Sequence, residues 1–150
     1  MTAKHFVDTN LLVYARDDSD PAKRDRAREV MHRLWSSGSG RLSHQVLQEF
    51  YVTVTRKLKP GLSPEMARDE VRDLMAWQPI PASAELFELA WEMEERWELS
   101  WWDSLIVASA RQTECSTLLT EDLQDGLDMG GLRVINPFAS RFDFSILACP

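Results

Sequence analysis

The stretch FVDTNLLVYA, residues 6 to 15, decides the fold. Phe6 and Val7 end a short apolar run, and Asp8 follows at once. Thr9 and Asn10 are short and polar, and Leu11 to Tyr14 return to apolar character. A strand that ends in a carboxylate and turns directly into a helix places charge in a cleft. In open α/β sheets, ligands collect outside the carboxyl ends of the strands. Asp8 is therefore the first candidate site residue, and the question is which other carboxylates join it.

Outward from that stretch, strands alternate with helices. Residues 4 to 8 read as a buried strand and 10 to 15 as a short helix. Asp17 to Asp20 form a turn, and Pro21 suits the first position of a helix that runs to Trp35, with Ala27, Val30, Met31 and Leu34 at helical spacing. SSGSG, residues 36 to 40, stops it. Arg41 and Leu42 form a very short strand, and Ser43 caps a helix from His44 to Lys57. The β-branched run Val52 to Thr55 weighs against that helix.

KPGLSP, residues 59 to 64, turns the chain into a helix that reaches Trp77. Pro79 to Pro81 suggest a brief edge strand, Ser83 opens another helix, and the next begins at Ser100 to Asp103. Ser116 to Thr120 is a strand, Glu121 to Asp128 a polar loop or short helical turn, and Leu132 to Ile135 the last strand. This order implies an α/β domain with a mostly parallel sheet. The sequence places no element in the tail after Phe138.

At 150 residues the chain is long enough for one domain with a real core. Its formal net charge of -7 argues against a general nucleic-acid binder held by bulk charge. It leaves room for a nuclease, because a divalent cation offsets carboxylates locally. Lys23, Arg24, Arg26, Arg28 and Arg33 crowd one segment; they suit phosphate contacts or a solvated helix face. Cys115 and Cys149 form no zinc spacing, and neither do His5, His32 and His44. No signal-peptide pattern opens the chain and no apolar run is long enough to span a membrane, so the expected compartment is the cytoplasm.

Four acidic residues stand at element ends or in apolar settings: Asp8, Glu49, Asp103 and Asp122. Each has an ordinary explanation. Asp8 suits a helix cap, Glu49 a helix flank, Asp103 a capping box with Ser100, and Asp122 a turn. Together they point elsewhere, since two end strands on one sheet rim and two sit on helices that can reach it. Two unit charges about 4 Å apart repel by roughly 4 kcal/mol at an effective dielectric near 20. Several such pairs rival the whole stability of a domain. Either some are protonated or a cation sits between them. Hard oxygen ligands without a His or Cys cluster favour Mg²⁺ or Mn²⁺ over Zn²⁺. Thr9 and Asn10 are expected to orient Asp8, and Thr120 and Asp125 to support Asp122, with Asp125 a further possible ligand. Trp101 and Trp102 suit either base stacking or the core.

This pattern resembles the PIN-domain ribonucleases, and within them the VapC-type toxins of bacterial toxin–antitoxin pairs. The matching stretches are FVDTNLLVYARD, LSHQVLQEFYVTVTRK, LSWWDSLIVASA, LLTEDLQDG and LRVINPF, spanning about residues 5 to 138. Their order and spacing carry the likeness. It implies a PIN-like three-layer sandwich over residues 1–138, a mostly parallel central sheet flanked by helices, and a tail over 139–150. It implies that Asp8, Glu49, Asp103 and Asp122 are the acidic set, with Asn10 and Thr120 in support. It also implies a Mg²⁺- or Mn²⁺-dependent endoribonuclease, often a homodimer, held in check by a cognate antitoxin protein. RNA as substrate comes from this resemblance, because the motifs alone fit DNA equally well. In the expected chemistry one carboxylate, with Glu49 the candidate, takes a proton from the attacking water.

Two other classes compete. A phosphoacceptor receiver domain also gathers acids around Mg²⁺, but needs a middle-strand Asp and a late-strand Lys; here the late strand ends in Asn136-Pro137. A non-catalytic relative of the fold would bind only a protein partner.

Overall fold

The computed structural model describes residues 2–147. β1 (His5–Val7) is followed by α1 (Thr9–Tyr14), α2 (Pro21–Ser37), β2 (Gly40–Arg41) and α3 (His44–Val52). Then come α4 (Pro64–Leu74), α5 (Ala84–Trp97), α6 (Trp101–Gln112), β3 (Thr117–Leu119), β4 (Asp128–Met129) and β5 (Leu132–Ile135). The sheet order is β2-β1-β3-β5-β4. β1 runs parallel to β2 and β3, and β3 parallel to β5. Only β4 is antiparallel, as one arm of a hairpin with β5.

All residues of β1 and β3 are buried, so both faces of the sheet centre are covered. Phe6, Leu118 and Leu119 meet Leu11, Leu34, Phe50 and Val107 in one core. Register then fixes the site: Val7 lies opposite Leu119, and Leu119 opposite Ile135. Asp8 and Thr120 thus leave adjacent strands at the same edge.

The helix starts follow side-chain caps. Ser43, Ser63, Ser83 and Ser100 accept from the amides of Val46, Met66, Leu86 and Asp103. Asp20 caps α2, with Pro21 in its first turn. Gly38, at φ 66°, ends α2 in the left-handed conformation that glycine adopts without strain. Gly40 has a second constraint, because the Trp77 ring lies 2.3 Å from where a Cβ would stand.

Four details depart from the sequence reading. The helix expected to Lys57 is α-helical only to Val52, and Thr53–Lys57 winds as a π-helical turn. There the β-branched residues crowd the ladder, and Thr55 donates its hydroxyl to the Tyr51 carbonyl at 2.6 Å. The helix expected to Trp77 finishes as a 3₁₀ turn over Met75–Trp77. Ile80 forms only an isolated bridge to Ser43 rather than a strand. β4 was not legible, being two residues that pair only through the Gly130-Gly131 turn.

The start of the tail is anchored. Phe142 and Phe144 meet edge to face at 5.1 Å, the Arg33 guanidinium lies 4.5 Å from the Phe144 ring, and Leu147 is buried. This uses α2 as its platform. The cations of α2 are engaged within the molecule: Lys23 with Glu121, Arg24 with Asp18 and Asp25, and Arg33 with Glu29. Arg26 and Arg28 donate to the carbonyls of Pro137 and Ala15. Cys115 is a buried free thiol, and Cys149 lies outside the described residues.

Candidate active site

Asp8 follows β1, its own amide bonded to the Leu119 carbonyl at 3.1 Å. It caps α1, and its Oδ1 accepts from the Thr9 amide at 2.7 Å. Its Oδ2 accepts from the Thr120 hydroxyl at 2.8 Å. The side chain is only 7% exposed. Burial is the main force on its carboxyl, pushing the pKa up to about 6. The Thr120 and Thr9 hydrogen bonds pull it back, and the charges of Asp122 and Glu49 push it further up.

Thr120, fully buried, is the connector. Its Oγ1 donates to Asp8 and accepts from the Asp122 amide and from Asn10 Nδ2, both at 3.1 Å. Asn10 Nδ2 also donates to Asp122 Oδ2 at 3.1 Å. Glu49 reaches the group from the middle of α3. Its Oε2 accepts from the Thr9 hydroxyl at 2.7 Å and its Oε1 from Gln45 at 2.9 Å. Asp103 sits in the first turn of α6, its amide on the Ser100 cap. Burial first, then the charges of Asp122 and Glu49, raises its carboxyl above the usual range, while Ser100 draws it back.

Asp8 and Asp103 are each perturbed by both Glu49 and Asp122. Among the described residues no Lys, Arg or His forms an ion pair with any of the four acids. Asp125 stands apart, with Oδ1 accepting from the Asn136 amide at 2.9 Å and Oδ2 from Arg141 at 2.7 Å. It ties the end of β5 to the tail.

The supporting contacts differ in detail from expectation. The Thr9 side chain orients Glu49, and only its amide holds Asp8. Asn10 turns to Thr120 and Asp122. Thr120 serves both Asp8 and Asp122. Sequence reasoning missed Gln45, although it lies four residues before Glu49 on the same helix face. It also missed Glu121, which accepts from Tyr14 at 2.7 Å and from Lys23 at 2.8 Å beside Asp122. Only the folded chain brings those three together.

Does this donor set suit a divalent ion? Among the described residues no three His, Cys, Asp or Glu side chains close tightly enough to enclose an ion by themselves. Mg²⁺ does not require such a cage, since it keeps several waters and is held through one or two carboxylates. Asn10 Oδ1 is buried and accepts from no group in the protein, which leaves an acceptor free for a water. Acids without a counter-cation, beside that vacant acceptor, fit a hydrated Mg²⁺ or Mn²⁺.

The fold and this edge of the sheet define a PIN domain. The PIN domain family matches residues 5–124, and the chain belongs to that family. The receiver-domain alternative falls with this assignment. Among solved structures, the chain is similar to a toxin–antitoxin complex from Klebsiella pneumoniae, with TM-score 0.65 and 18% identity over 90% of this chain and 98% of that one. It is similar to Mycobacterium tuberculosis VapC20, a toxin that cleaves the sarcin–ricin loop, with TM-score 0.58 and 22% identity over 79% and 90%. It is also similar to Rickettsia felis VapBC2 bound to a fragment of its promoter DNA, with TM-score 0.59 and 18% identity over 87% and 96%. At these identities the likeness is one of fold. No curated protein matches the chain.

Proposed function

We propose that this PIN domain is a metal-dependent endoribonuclease and the toxin of a type II toxin–antitoxin pair. What supports the reading is that Thr9 links Asp8 to Glu49, that Thr120 and Asn10 link Asp8 to Asp122, and that Asp103 faces the charges of Glu49 and Asp122, with no ion pair to any of the four among the described residues. VapC20's cleavage of the sarcin–ricin loop supports RNA as substrate, and the toxin–antitoxin complexes among the similar structures support a cognate antitoxin. A homodimer in the cytoplasm is part of the same reading. Among the described residues no helix is long and apolar enough to cross a membrane.

The four carboxylates would hold Mg²⁺ or Mn²⁺, which supplies an acidified water and charge stabilisation at the leaving oxygen. The chain's own residues do the placing. Thr120 and the Thr9 amide fix both oxygens of Asp8. Thr9 and Gln45 fix both oxygens of Glu49, whose remaining lone pairs stay open to take a proton from the attacking water. Asn10 ties Asp122 to that frame.

The test is cleavage of a panel of structured RNAs by the purified chain with Mg²⁺, with Mn²⁺ and with EDTA. Metal-dependent scission that disappears in Asp8→Asn and Asp103→Asn is the expected result. Absence of turnover on every RNA would leave a non-catalytic protein-binding module. Full activity in a nuclease-free preparation of Asp8→Asn would overturn the site.

A further inference from the structure

The two adjacent tryptophans have different surroundings. Trp101 is half-buried and packs with Phe87 at 5.8 Å and Trp91 at 6.2 Å between ring centroids. Trp102 is 63% exposed, more than any other large apolar side chain described. It is the residue before Asp103, and its carbonyl lies 3.5 Å from Gln45 Nε2, the amide that holds Glu49. A single exposed apolar residue is ordinary. This one borders a hollow of about 370 Å³ that is also lined by Trp101, Phe87, His44, Gln45 and Gln48.

That lining combines flat aromatic faces with amide and imidazole groups that donate and accept. Unpaired bases are recognised by the same combination, faces on aromatic rings and edges on polar groups. The charges around it give a direction. Glu88, Glu92 and Glu95 line the neighbouring hollow on α5 and repel phosphate. On the other side His44 and Gln48 also border a groove that carries Arg68 and Arg72. A strand leaving the acidic edge through this hollow meets Arg68 and Arg72 of α4 on one side and the anions of α5 on the other.

We propose that the hollow beside Trp102 is a nucleobase subsite. It takes one unpaired base of an RNA strand whose phosphate lies at the acidic edge, and the strand continues toward Arg68 and Arg72. This deepens the ribonuclease reading and rests on it.

The test uses labelled 12-nucleotide oligo(A) and oligo(U) with Mg²⁺, bound to Asp8→Asn protein so that turnover does not intervene. Adding Trp102→Ala should weaken oligo(A) binding by about tenfold or more, because stacking on one ring contributes that much per base. Trp102→Phe should keep most of the affinity, and oligo(A) should lose more than oligo(U). Sedimentation of each variant reads the oligomeric state in parallel. Unchanged oligo(A) affinity in the Trp102→Ala variant would overturn the subsite while RNA cleavage by the unmodified chain still stands. Dissociation of a dimer by Trp102→Ala, with RNA affinity retained, would assign the hollow to a second copy of the chain and also overturn it. An unmodified chain that neither binds nor cleaves RNA would sink the ribonuclease reading, and the subsite with it.

Discussion

The Thr120 hydroxyl donates to Asp8 Oδ2 across 2.8 Å, between the ends of β3 and β1. The same oxygen accepts from the Asp122 amide and from Asn10. One donor and two acceptor positions are thus all used, which fixes where the hydroxyl proton points. Asp8 is held by an atom that is itself held.

Thr120→Val keeps the shape and removes the hydroxyl. It leaves a buried carboxylate short of one donor and removes the acceptor shared by two N–H groups. We expect a loss of about 1–3 kcal/mol in urea denaturation at neutral pH, with most of it restored in Thr120→Ser. Cleavage of RNA should fall in Thr120→Val well beyond what the residual folded fraction accounts for. Equal stability and activity in the valine variant would show that Thr120 does not organise the site.

How much of this was legible beforehand depends on range. Helix caps were readable because Ser43, Ser63, Ser83 and Ser100 act within three residues of themselves. The four acids were legible as candidates because each stood at an element end or in an apolar setting. Their partners were not. Thr9 meets Glu49 across 40 positions, and Asn10 meets Asp122 across 112. Such pairs depend on the register that sets Val7 opposite Leu119, which no local pattern encodes. The π-helical turn after α3 was visible only as a conflict, a β-branched run inside an otherwise helical stripe.

Burial of Asp8 gives the ion-free protein a pH dependence of known sign. Its carboxyl titrates near 6 in the folded chain against an ordinary value of 3.8. The folded state therefore binds a proton that the unfolded state releases between those values. The contribution is fully present below about pH 3.8 and is lost as pH rises through about 6. Two pH units correspond to about 3 kcal/mol. Asp8→Asn should remove this slope, so in EDTA the variant should gain on the parent chain as pH rises from 4 to 7. A constant difference in denaturation free energy across that range would show that the folded-state pKa is not raised.

A divalent ion should reverse that cost. On the proposed reading it would bind the ionised, folded site and not the unfolded chain, and so stabilise by mass action, by about 2.7 kcal/mol at a hundred times its dissociation constant. Mg²⁺ or Mn²⁺ should raise the melting temperature of the parent chain at pH 7, and EDTA should restore the original value. The shift should be larger at pH 7 than at pH 5, where Asp8 is mostly protonated. It should vanish in Asp8→Asn and shrink in Asp103→Asn. An equal shift in Asp8→Asn would mean that the ion acts elsewhere.

Glu121 stands between Thr120 and Asp122 in the chain. Tyr14 donates to one of its oxygens at 2.7 Å and Lys23 to the other at 2.8 Å, with the Lys23 ammonium 4.4 Å from the centre of the Tyr14 ring. Lys23 and Glu121 are partly exposed, so the ion pair itself contributes only about 1 kcal/mol or less to stability. Its expected effect is on position, since the segment it pins carries Asp122. Lys23→Met and Tyr14→Phe should therefore melt within a few degrees of the parent chain yet cleave RNA several-fold more slowly at saturating metal. The loss should appear in kcat more than in KM, because neither side chain lies among the four acids. Added salt should slow the parent chain toward the Lys23→Met rate, and Lys23→Arg should recover part of it. Parent-like kcat in both variants would show that the loop after β3 holds Asp122 without this clamp.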